Sequence, residues 1–291
     1  ISKGLKAPWA GAVFSLALIL AFGLVFNAVQ ANSIAGAMEG AFGIDTSVTG
    51  IVIMLLAAIV IFGGIKKIAR FAEIIVPFMA VLYLLVALYV IVMNIDEVPA
   101  AFALIFKSAF GIEQAAGGVL GAMLNGIKRG LFSNEAGMGS APNAAASATP
   151  YPPHPASQGY VQMLGVFVDT IVICSATVAI ILMSGEYVPH GEITGIELTQ
   201  RALTAQVGEW GGIFVAVAIF FFAFTSIIAN YSYAETNLIF LEHNHKAGIG
   251  IFRIVVLAMV MFGSMATLPT VWALADVSMG LMAIVNLVAI I

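Results

Sequence analysis

The chain has 291 residues, of which 62% are apolar and 9% are charged, and its formal net charge is −4. Soluble domains average roughly 45–50% apolar and about 25% charged residues. The composition therefore excludes a protein whose surface is mostly exposed to water, and it indicates an integral membrane protein. The lone cysteine, Cys174, excludes a disulfide framework.

Eight segments are long and apolar enough to cross a hydrocarbon core, which takes about 20 residues of helix. They are Pro8–Ala31, Thr46–Ile65, Ala72–Asn94, Ala115–Thr149, Gln158–Ser184, Trp210–Phe240, Ile249–Leu268 and Thr270–Ile291. Pro99–Phe110 and Gly195–Val207 are too short to cross, and they are predicted to be surface helices, with loops as the alternative. The sequence has no strand periodicity, which predicts an all-α fold, a polytopic membrane helical bundle forming one domain over residues 1–291.

The positions of Lys and Arg predict the orientation of the spans. If the N-terminus is cytoplasmic and each span crosses once, the cytoplasmic side receives Lys3, Lys6, Lys66, Lys67, Arg70, Lys246 and Arg253. The outer side then receives only Lys107 and Arg201, together with most of the acidic residues. We therefore predict a cytoplasmic N-terminus.

The two ends of the sequence suggest a piece of a longer protein. The chain starts at Ile1 without Met, and it stops at Ile291 inside an apolar run. No signal-peptide pattern opens it. We expect a fragment that is cut at both ends.

The fourth span contains residues that break a helix. Gly137 and Gly139 lower the cost of unwinding, and Pro142 removes a backbone donor and disfavours helical geometry before it. The pattern predicts two half-helices separated by an unwound joint near Asn134–Ser140, with a simple kink as the alternative. Backbone N–H groups freed at such a joint suit an anion and freed carbonyls suit a cation, as at the sites of secondary transporters.

The run Arg129–Ser140, with the sequence RGLFSNEAGMGS, resembles the signature of the alanine/glycine:cation symporter family. Further matching runs are Val29–Ile34, Ile61–Ile65, Val76–Met79, Val166–Thr170 and Gly280–Ile284. The resemblance covers the chain almost end to end. It implies the five-plus-five inverted-repeat transporter fold that neurotransmitter:sodium symporters share. The eight spans then correspond to helices three to ten, so the first two helices and the last one are expected to be missing.

Several polar residues at membrane depth are candidates for substrate binding. Asn27 and Gln30 are three residues apart and share a helix face, where their amides can bind a substrate or join two helices. The resemblance favours Gln30 as a substrate ligand, and it implies that Phe132, Gly137, Met138 and Asn230 also belong to the substrate site. Asn230 departs from the family pattern, in which Trp is usual, so the preferred side-chain size of the substrate is open. Met279 and Val285 depart from a usual Asn and a usual Pro.

Thr225 and Ser226 are adjacent hydroxyl residues midway along the sixth span. Such hydroxyls either bond back to their own helix or ligate a hard cation. The resemblance implies that they bind sodium together with the backbone carbonyl of Phe222.

Three ionisable residues at membrane depth are candidates for gating or coupling, because charges there are functional by default. Asp169 lies mid-span, where it either pairs with Lys128 or Arg129 or borders a cation site. Glu135 is expected to lie within the membrane without facing lipid. Arg129 precedes the joint by about one turn and is expected to form part of an outer gate, with Asp276 as a partner.

These features predict a secondary active transporter in the cell membrane that carries sodium and a small neutral amino acid, alanine or glycine, in the same direction. A proton-coupled amino acid transporter, with Glu135 or Asp169 as the carrier, is the alternative, and a channel is a more distant one. An enzyme is not expected, since neither HExxH nor GxSxG occurs. The expected partners are the amino acid, Na⁺ and the lipid bilayer, without nucleic acid and without a cofactor besides the coupling ion. The oligomeric state is left open, a monomer included.

Overall fold

A computed structural model describes residues 1–63, 65–110, 116–189, 191–242 and 246–291. Within these ranges every regular element is helical, which confirms the predicted fold class. The α-helices are α1 Pro8–Leu18, α2 Phe26–Phe42, α3 Thr46–Gly63, α4 Ile65–Met93, α5 Val98–Phe110, α6 Ala116–Asn134, α7 Ala141–Ser147, α8 Pro155–Phe167, α9 Ser175–Met183, α10 Gly195–Val207, α11 Trp210–Glu242, α12 Lys246–Met265 and α13 Leu268–Ile290. Two π-helical segments, π1 Ile19–Val25 and π2 Val168–Cys174, join α1 to α2 and α8 to α9, and a 3₁₀ turn covers Ile95–Glu97.

Seven helices in the described residues are long and apolar enough to cross a membrane. They are Pro8–Phe42, Thr46–Gly63, Ile74–Met93, Pro155–Met183, Trp210–Leu241, Gly248–Met265 and Leu268–Ile290. They correspond to all the predicted spans except the broken fourth, whose α6 carries Lys128, Arg129 and several glycines. Ala115, where that span was predicted to begin, lies outside the described residues.

The predicted end of the first span is wrong. The sequence predicted an end at Ala31, whereas the helix continues to Phe42. No proline interrupts residues 32–42, so the backbone ladder continues even though the residues become more polar. The helix ends at Gly43, whose φ is 65° and whose N–H donates to the Glu39 carbonyl at 2.8 Å, an arrangement typical of a glycine C-cap.

The two stretches that were too short to cross, Pro99–Phe110 and Gly195–Val207, both form helices, α5 and α10. The helix interpretation is therefore confirmed and the loop alternative is wrong.

The turn between α2 and α3 is polar. Asp45 accepts hydrogen bonds from the hydroxyl of Ser47 and from its backbone N–H, the latter at 2.8 Å. These bonds, the side-chain one first, lower the pKa of the Asp45 carboxyl, so the acceptor at the start of α3 stays ionised to lower pH than a free Asp.

The chain divides into two compact units. The first consists of Ile1–Met79, Gly137–Thr149 and Ile213–Ile291, and the second of Ala80–Ala136 and Pro150–Gly212. The first unit therefore contains α1 to α3, α7, most of α11, α12 and α13. The second contains α5, α6, α8 to α10 and the later part of α4.

Small residues let helices of the first unit pack closely. A Cβ added at Gly263 of α12 would lie 2.2 Å from the Ala28 carbonyl oxygen of α2, so only glycine permits this contact. The Asn32 amide reinforces it by donating to the carbonyls of Gly263 at 3.0 Å and Ala266 at 2.7 Å. Close backbone approach with interhelical amide bonds is a usual way to hold helices together in lipid.

Side-chain hydrogen bonds join the helices of the second unit. The Tyr83 and Thr177 hydroxyls are 2.7 Å apart and link α4 to α9. The Asn94 amide donates to the Gln206 carbonyl oxygen at 2.8 Å, and the Gln206 amide donates to the Met183 carbonyl at 2.6 Å. These bonds attach α10 to the ends of α4 and α9.

Candidate functional site

The predicted joint between the half-helices is present. Helix α6 ends at Asn134 and α7 begins at Ala141, which confirms a break rather than a kink. The side chain of Asn134 explains the end of α6, because its Oδ1 accepts a hydrogen bond from the Ala136 N–H at 2.9 Å. Such an Asx turn offers the backbone an alternative to the next helical bond.

The backbone of the joint adopts positive φ at three residues, Glu135 at 58°, Gly137 at 78° and Gly139 at 90°. Glycine adopts such angles at little cost, whereas the left-handed conformation costs other residues roughly 1–2 kcal/mol. The backbone of Glu135 is therefore strained, and strain of this kind is typical of functional segments. The Gly137 carbonyl, freed from a helix, accepts from the Asn286 amide of α13 at 2.9 Å.

The three predicted sodium ligands lie close together on α11. The Thr225 hydroxyl donates to the Phe222 carbonyl at 3.0 Å and to that of Phe221 at 2.9 Å, and the Ser226 hydroxyl donates to Phe222 at 2.9 Å. Both hydroxyls are half-buried. Three oxygens thus converge on one turn, although each hydroxyl also satisfies the ordinary role of bonding to its own helix.

Two contacts place π1 against α11 in the first unit. A Cβ built on Gly23 of π1 would lie 2.9 Å from the Ala234 Cβ of α11. The Phe22 and Tyr233 rings also meet, with their centroids 5.8 Å apart. The segment directly before Asn27 and Gln30 thus packs against α11 about one turn beyond Asn230.

The three amide candidates differ in their hydrogen bonding. Asn27 is fully buried, its Nδ2 donates to the Gly23 carbonyl at 2.9 Å, and its Oδ1 has no partner in the described structure. Gln30 is half-buried and Asn230 is 4% exposed, and neither side chain forms a hydrogen bond within the described part of the chain. Gln30 and Asn230 are thus available to bind a ligand, whereas Asn27 is more tightly held by its own helix.

The remaining substrate candidates lie in different units. Gly137 and Met138 belong to the first unit, where Met138 is fully buried. Phe132 belongs to the second unit and is half-buried. The first unit thus contains Asn27, Gln30, Gly137, Met138, Asn230 and the three sodium candidates.

The gate and coupling candidates, Arg129, Glu135 and Asp169, all belong to the second unit and are half-buried. Asp169 accepts a hydrogen bond from the Ser133 hydroxyl at 2.7 Å, and the neighbouring Asn134 amide donates to Thr170 at 2.9 Å. Two consecutive residues at the end of α6 are thus paired with two consecutive residues of π2. From the sequence, Asn134 was named only as part of the joint and Thr170 only as part of the Val166–Thr170 run, and Ser133 was given no role.

Comparison with known proteins places the whole chain in one family. The model of the sodium:alanine symporter family matches residues 1–291. The amino-acid carrier protein AlsT of Bacillus subtilis (strain 168) is 49% identical over 291 residues, which are all of this chain and 61% of AlsT. A protein of the same organism named "Probable sodium/glutamine symporter GlnT" is 50% identical over 291 residues, all of this chain and 60% of GlnT. The sodium/alanine symporter AgcS of Methanococcus maripaludis is 40% identical over 299 residues, all of this chain and 65% of AgcS.

The chain spans about three fifths of the length of AlsT and GlnT. The family match confirms the resemblance of the Arg129–Ser140 run, and it confirms a transporter family rather than an enzyme family. With seven apolar helices of spanning length, the chain is part of an integral, multi-pass protein of the cell membrane. It belongs to the sodium:alanine symporter family.

Proposed function

We propose that this chain forms most of the transport domain of a carrier that couples the inward movement of Na⁺ to that of a small neutral amino acid, alanine or glycine. The observation that carries the proposal is that three oxygens, those of Phe222, Thr225 and Ser226, converge on one turn of α11 in the unit that also contains the half-buried Gln30 amide. An amide can bind the amino acid and the three oxygens can bind the ion. The names of AlsT and AgcS, an amino-acid carrier and a sodium/alanine symporter, support the same function.

The cation chemistry follows from the donor set. Hydroxyl and carbonyl oxygens suit a hard cation, and such ions take about six oxygen ligands or more. Phe222, Thr225 and Ser226 supply three, so the others must come from elsewhere in the full-length carrier or from the substrate. A hydroxyl can donate its hydrogen to a backbone carbonyl and use its oxygen lone pairs for an ion, so Thr225 and Ser226 can bind Na⁺ and still donate.

The double variant Thr225→Val, Ser226→Ala tests the sodium site. We expect the sodium concentration for half-maximal alanine uptake to rise at least about tenfold, since two of the ligands are lost. The measurement is initial uptake by proteoliposomes containing the full-length protein, over a series of sodium gradients. Ser33→Ala is the matched control, because within the described residues its hydroxyl bonds only to the Val29 carbonyl of its own helix, at 3.1 Å. An unchanged sodium dependence in the double variant would refute this site.

The same vesicles separate sodium coupling from proton coupling. If an inward proton gradient alone drives uptake, and sodium adds nothing, Asp169 or Glu135 becomes the candidate carrier and the sodium proposal is wrong. A channel would instead carry substrate only down its own gradient, whatever the ion gradient.

Asn230 favours a second substrate class, neutral amino acids with a longer side chain that ends in a carboxamide. It is buried, has no hydrogen-bond partner in the described structure, and stands where the family resemblance expects the larger Trp. Replacing Trp with Asn leaves both space and an amide that can pair with an amide of the substrate. The name of GlnT, which mentions glutamine, agrees with this size.

The variant Asn230→Trp tests the substrate class. We expect the wild type to transport glutamine as well as alanine. In the variant, glutamine uptake should fall about tenfold or more, because the ring fills the space, while alanine uptake changes much less. Competition between the two amino acids in uptake assays gives the ratio directly. A wild type that rejects glutamine, or a variant that loses both substrates equally, would contradict this assignment.

A further inference from the structure

The first unit contains a polar cavity of about 320 Å³, here called the amide cavity, which none of the predicted substrate side chains lines. Its polar side chains belong to Ser2, Ser15, Asn143, Thr236, Asn237 and Asn286, and Ile1 also lines it. Ser2 precedes α1, Ser15 lies in the second half of α1, Asn143 belongs to α7, and the others lie near the ends of α11 and α13. Lys3 and Lys6 precede α1, so by the charge rule the cavity lies towards the cytoplasmic side.

Hydrogen bonds between helices build the wall of the amide cavity. The Ser15 hydroxyl donates to the Asn237 Oδ1 at 2.9 Å, and the Asn237 Nδ2 donates to the Asn143 Oδ1 at 3.0 Å and to the Tyr233 carbonyl at 2.9 Å. Asn237 is only 8% exposed. Both of its N–H groups are therefore occupied, and it joins α1 to α7 through α11 as a fixed structural element.

The other polar residues of the wall retain unused hydrogen-bonding capacity. Asn143 donates one N–H to the Ser140 carbonyl at 3.1 Å, and Asn286 donates one to Gly137, so each amide keeps a second N–H. The Asn286 Oδ1 and lone pairs of the Ser15 and Thr236 hydroxyls are acceptors without a partner in the described structure. The two amides thus offer two donors, the three oxygens are acceptors, and the Ser2 hydroxyl can act as either.

This set of groups matches a zwitterion. Among the described residues that line the cavity, no side chain is charged. The two N–H groups suit a carboxylate and the three oxygens suit an ammonium group, whereas a solute with a net charge would find no counter-ion. Neutral amides and hydroxyls bind a zwitterion more weakly than charged side chains would. Weak binding suits a step in which the carrier must release its ligand.

We propose that the amide cavity is a second amino-acid site on the cytoplasmic side, which holds the ammonium and carboxylate groups of the substrate as it leaves the carrier. The proposal rests on the proposed function, because it needs an amino acid that travels inward. It adds a site with its own residues, of which Asn143 and Asn286 bind the carboxylate.

The test compares the two faces of the membrane. Proteoliposomes with the full-length carrier in known orientation are loaded with alanine for efflux, or supplied with alanine outside for uptake, and the apparent KM is measured on each side. Asn143→Asp keeps the oxygen that accepts the hydrogen bond from Asn237. It replaces the second N–H with a negatively charged oxygen, which repels the carboxylate of the substrate. We expect the KM on the cytoplasmic side to rise about tenfold, with the outer KM changed less than about twofold.

Two further variants make the outcome decisive. Thr236→Val removes an acceptor for the ammonium group without adding a charge, and it should raise the cytoplasmic KM by a smaller factor. It serves as the test variant if Asn143→Asp is not recovered in the membrane. Ser147→Ala, whose hydroxyl bonds to the Ala144 carbonyl and does not line the cavity, is the control that should change neither KM.

Equal changes of KM on both faces, or no change on either, would overturn the amide cavity as a binding site. Equal changes are also the expected result if another part of the full-length carrier fills the cavity. A wild type that transports no amino acid would instead refute the proposed function, so the two failures are distinguishable.

Discussion

Replacing Arg253 with Met should lower the melting temperature of the full-length carrier by roughly 5–10 °C. Arg253 of α12 is part of a cluster in the first unit. Its Nη2 pairs with Glu235 Oε1 at 3.0 Å, its Nε donates to the Tyr231 hydroxyl at 2.9 Å, and its guanidinium lies 5.3 Å from the centre of the Phe62 ring. One side chain thus connects α3, α11 and α12.

The large effect follows from what the variant leaves behind. The Glu235 side chain is only 14% exposed and also accepts from Tyr231 at 2.5 Å. Without Arg253 its carboxylate would remain largely buried without a cation. Removing one partner of a buried ion pair costs about 3 kcal/mol or more, whereas replacing both partners is often nearly neutral. We therefore expect the double variant Glu235→Gln, Arg253→Met to recover most of the lost stability.

The surface pair of α10 provides the matched control. Arg201 and Glu197 are 2.8 Å apart, and both side chains are 52% exposed. An exposed pair one helical turn apart contributes about 0.5 kcal/mol or less, so Arg201→Met should barely change the melting temperature. Thermal melting of the detergent-solubilised protein, followed by size-exclusion chromatography, measures all three variants. A loss in Arg253→Met no larger than in Arg201→Met would show that the cluster does not hold these helices together.

The helices could be predicted from the sequence because their cause is local. A run of about 20 apolar residues must satisfy its backbone within one helix when lipid is the solvent. The joint was also predictable, since the sequence from Asn134 to Pro142 contains an Asx acceptor, two glycines and a proline within nine residues. The end of the first span was not, because polar residues such as Asn32 find carbonyl partners in α12 that no local pattern shows.

Contacts between distant residues explain most of what the sequence did not show. Asn286 bonds to Gly137 across 149 residues, and Ser15 bonds to Asn237 across 222. Read alone, Ser15 and Asn286 are isolated polar residues in apolar runs. The segments π1 and π2 were also missed, because inserting one extra residue into a helical turn has no clear signature in composition. Asp169 was identified by its depth, but its partner Ser133 could be found only from the structure.

Replacing Gly139 with Ala should reduce sodium-driven uptake at least about tenfold, even with the variant present in the membrane. Two costs act at this position. The φ of 90° is strained for any residue with a Cβ, which costs of order 1–3 kcal/mol. An added Cβ would also lie 2.7 Å from the Phe14 ring and 2.8 Å from Asn286 Cγ and Oδ1.

The second cost links the substitution to transport. To accommodate a methyl group the Asn286 side chain must shift, and its amide then loses the 2.9 Å bond to the Gly137 carbonyl. That carbonyl has no helical partner to replace Asn286, because the joint is unwound. The backbone between Glu135 and Ser140 would therefore settle in another conformation, which would displace Gly137 and Met138, two of the predicted substrate residues.

Gly121→Ala in α6 is the matched control, since a Cβ there would meet no atom of the described residues within 4 Å and alanine suits a helix better than glycine. It should leave uptake unchanged. Initial uptake rates are divided by the amount of carrier in the vesicles, so that a loss of protein is not counted as a loss of turnover. If Gly139→Ala transports at the rate of Gly121→Ala, the joint tolerates a change in its backbone conformation. The close contacts of Gly139 with α1 and α13 would then not be what positions the joint. If the rate falls while alanine still binds with its original affinity, the joint acts in the conformational step rather than in substrate recognition.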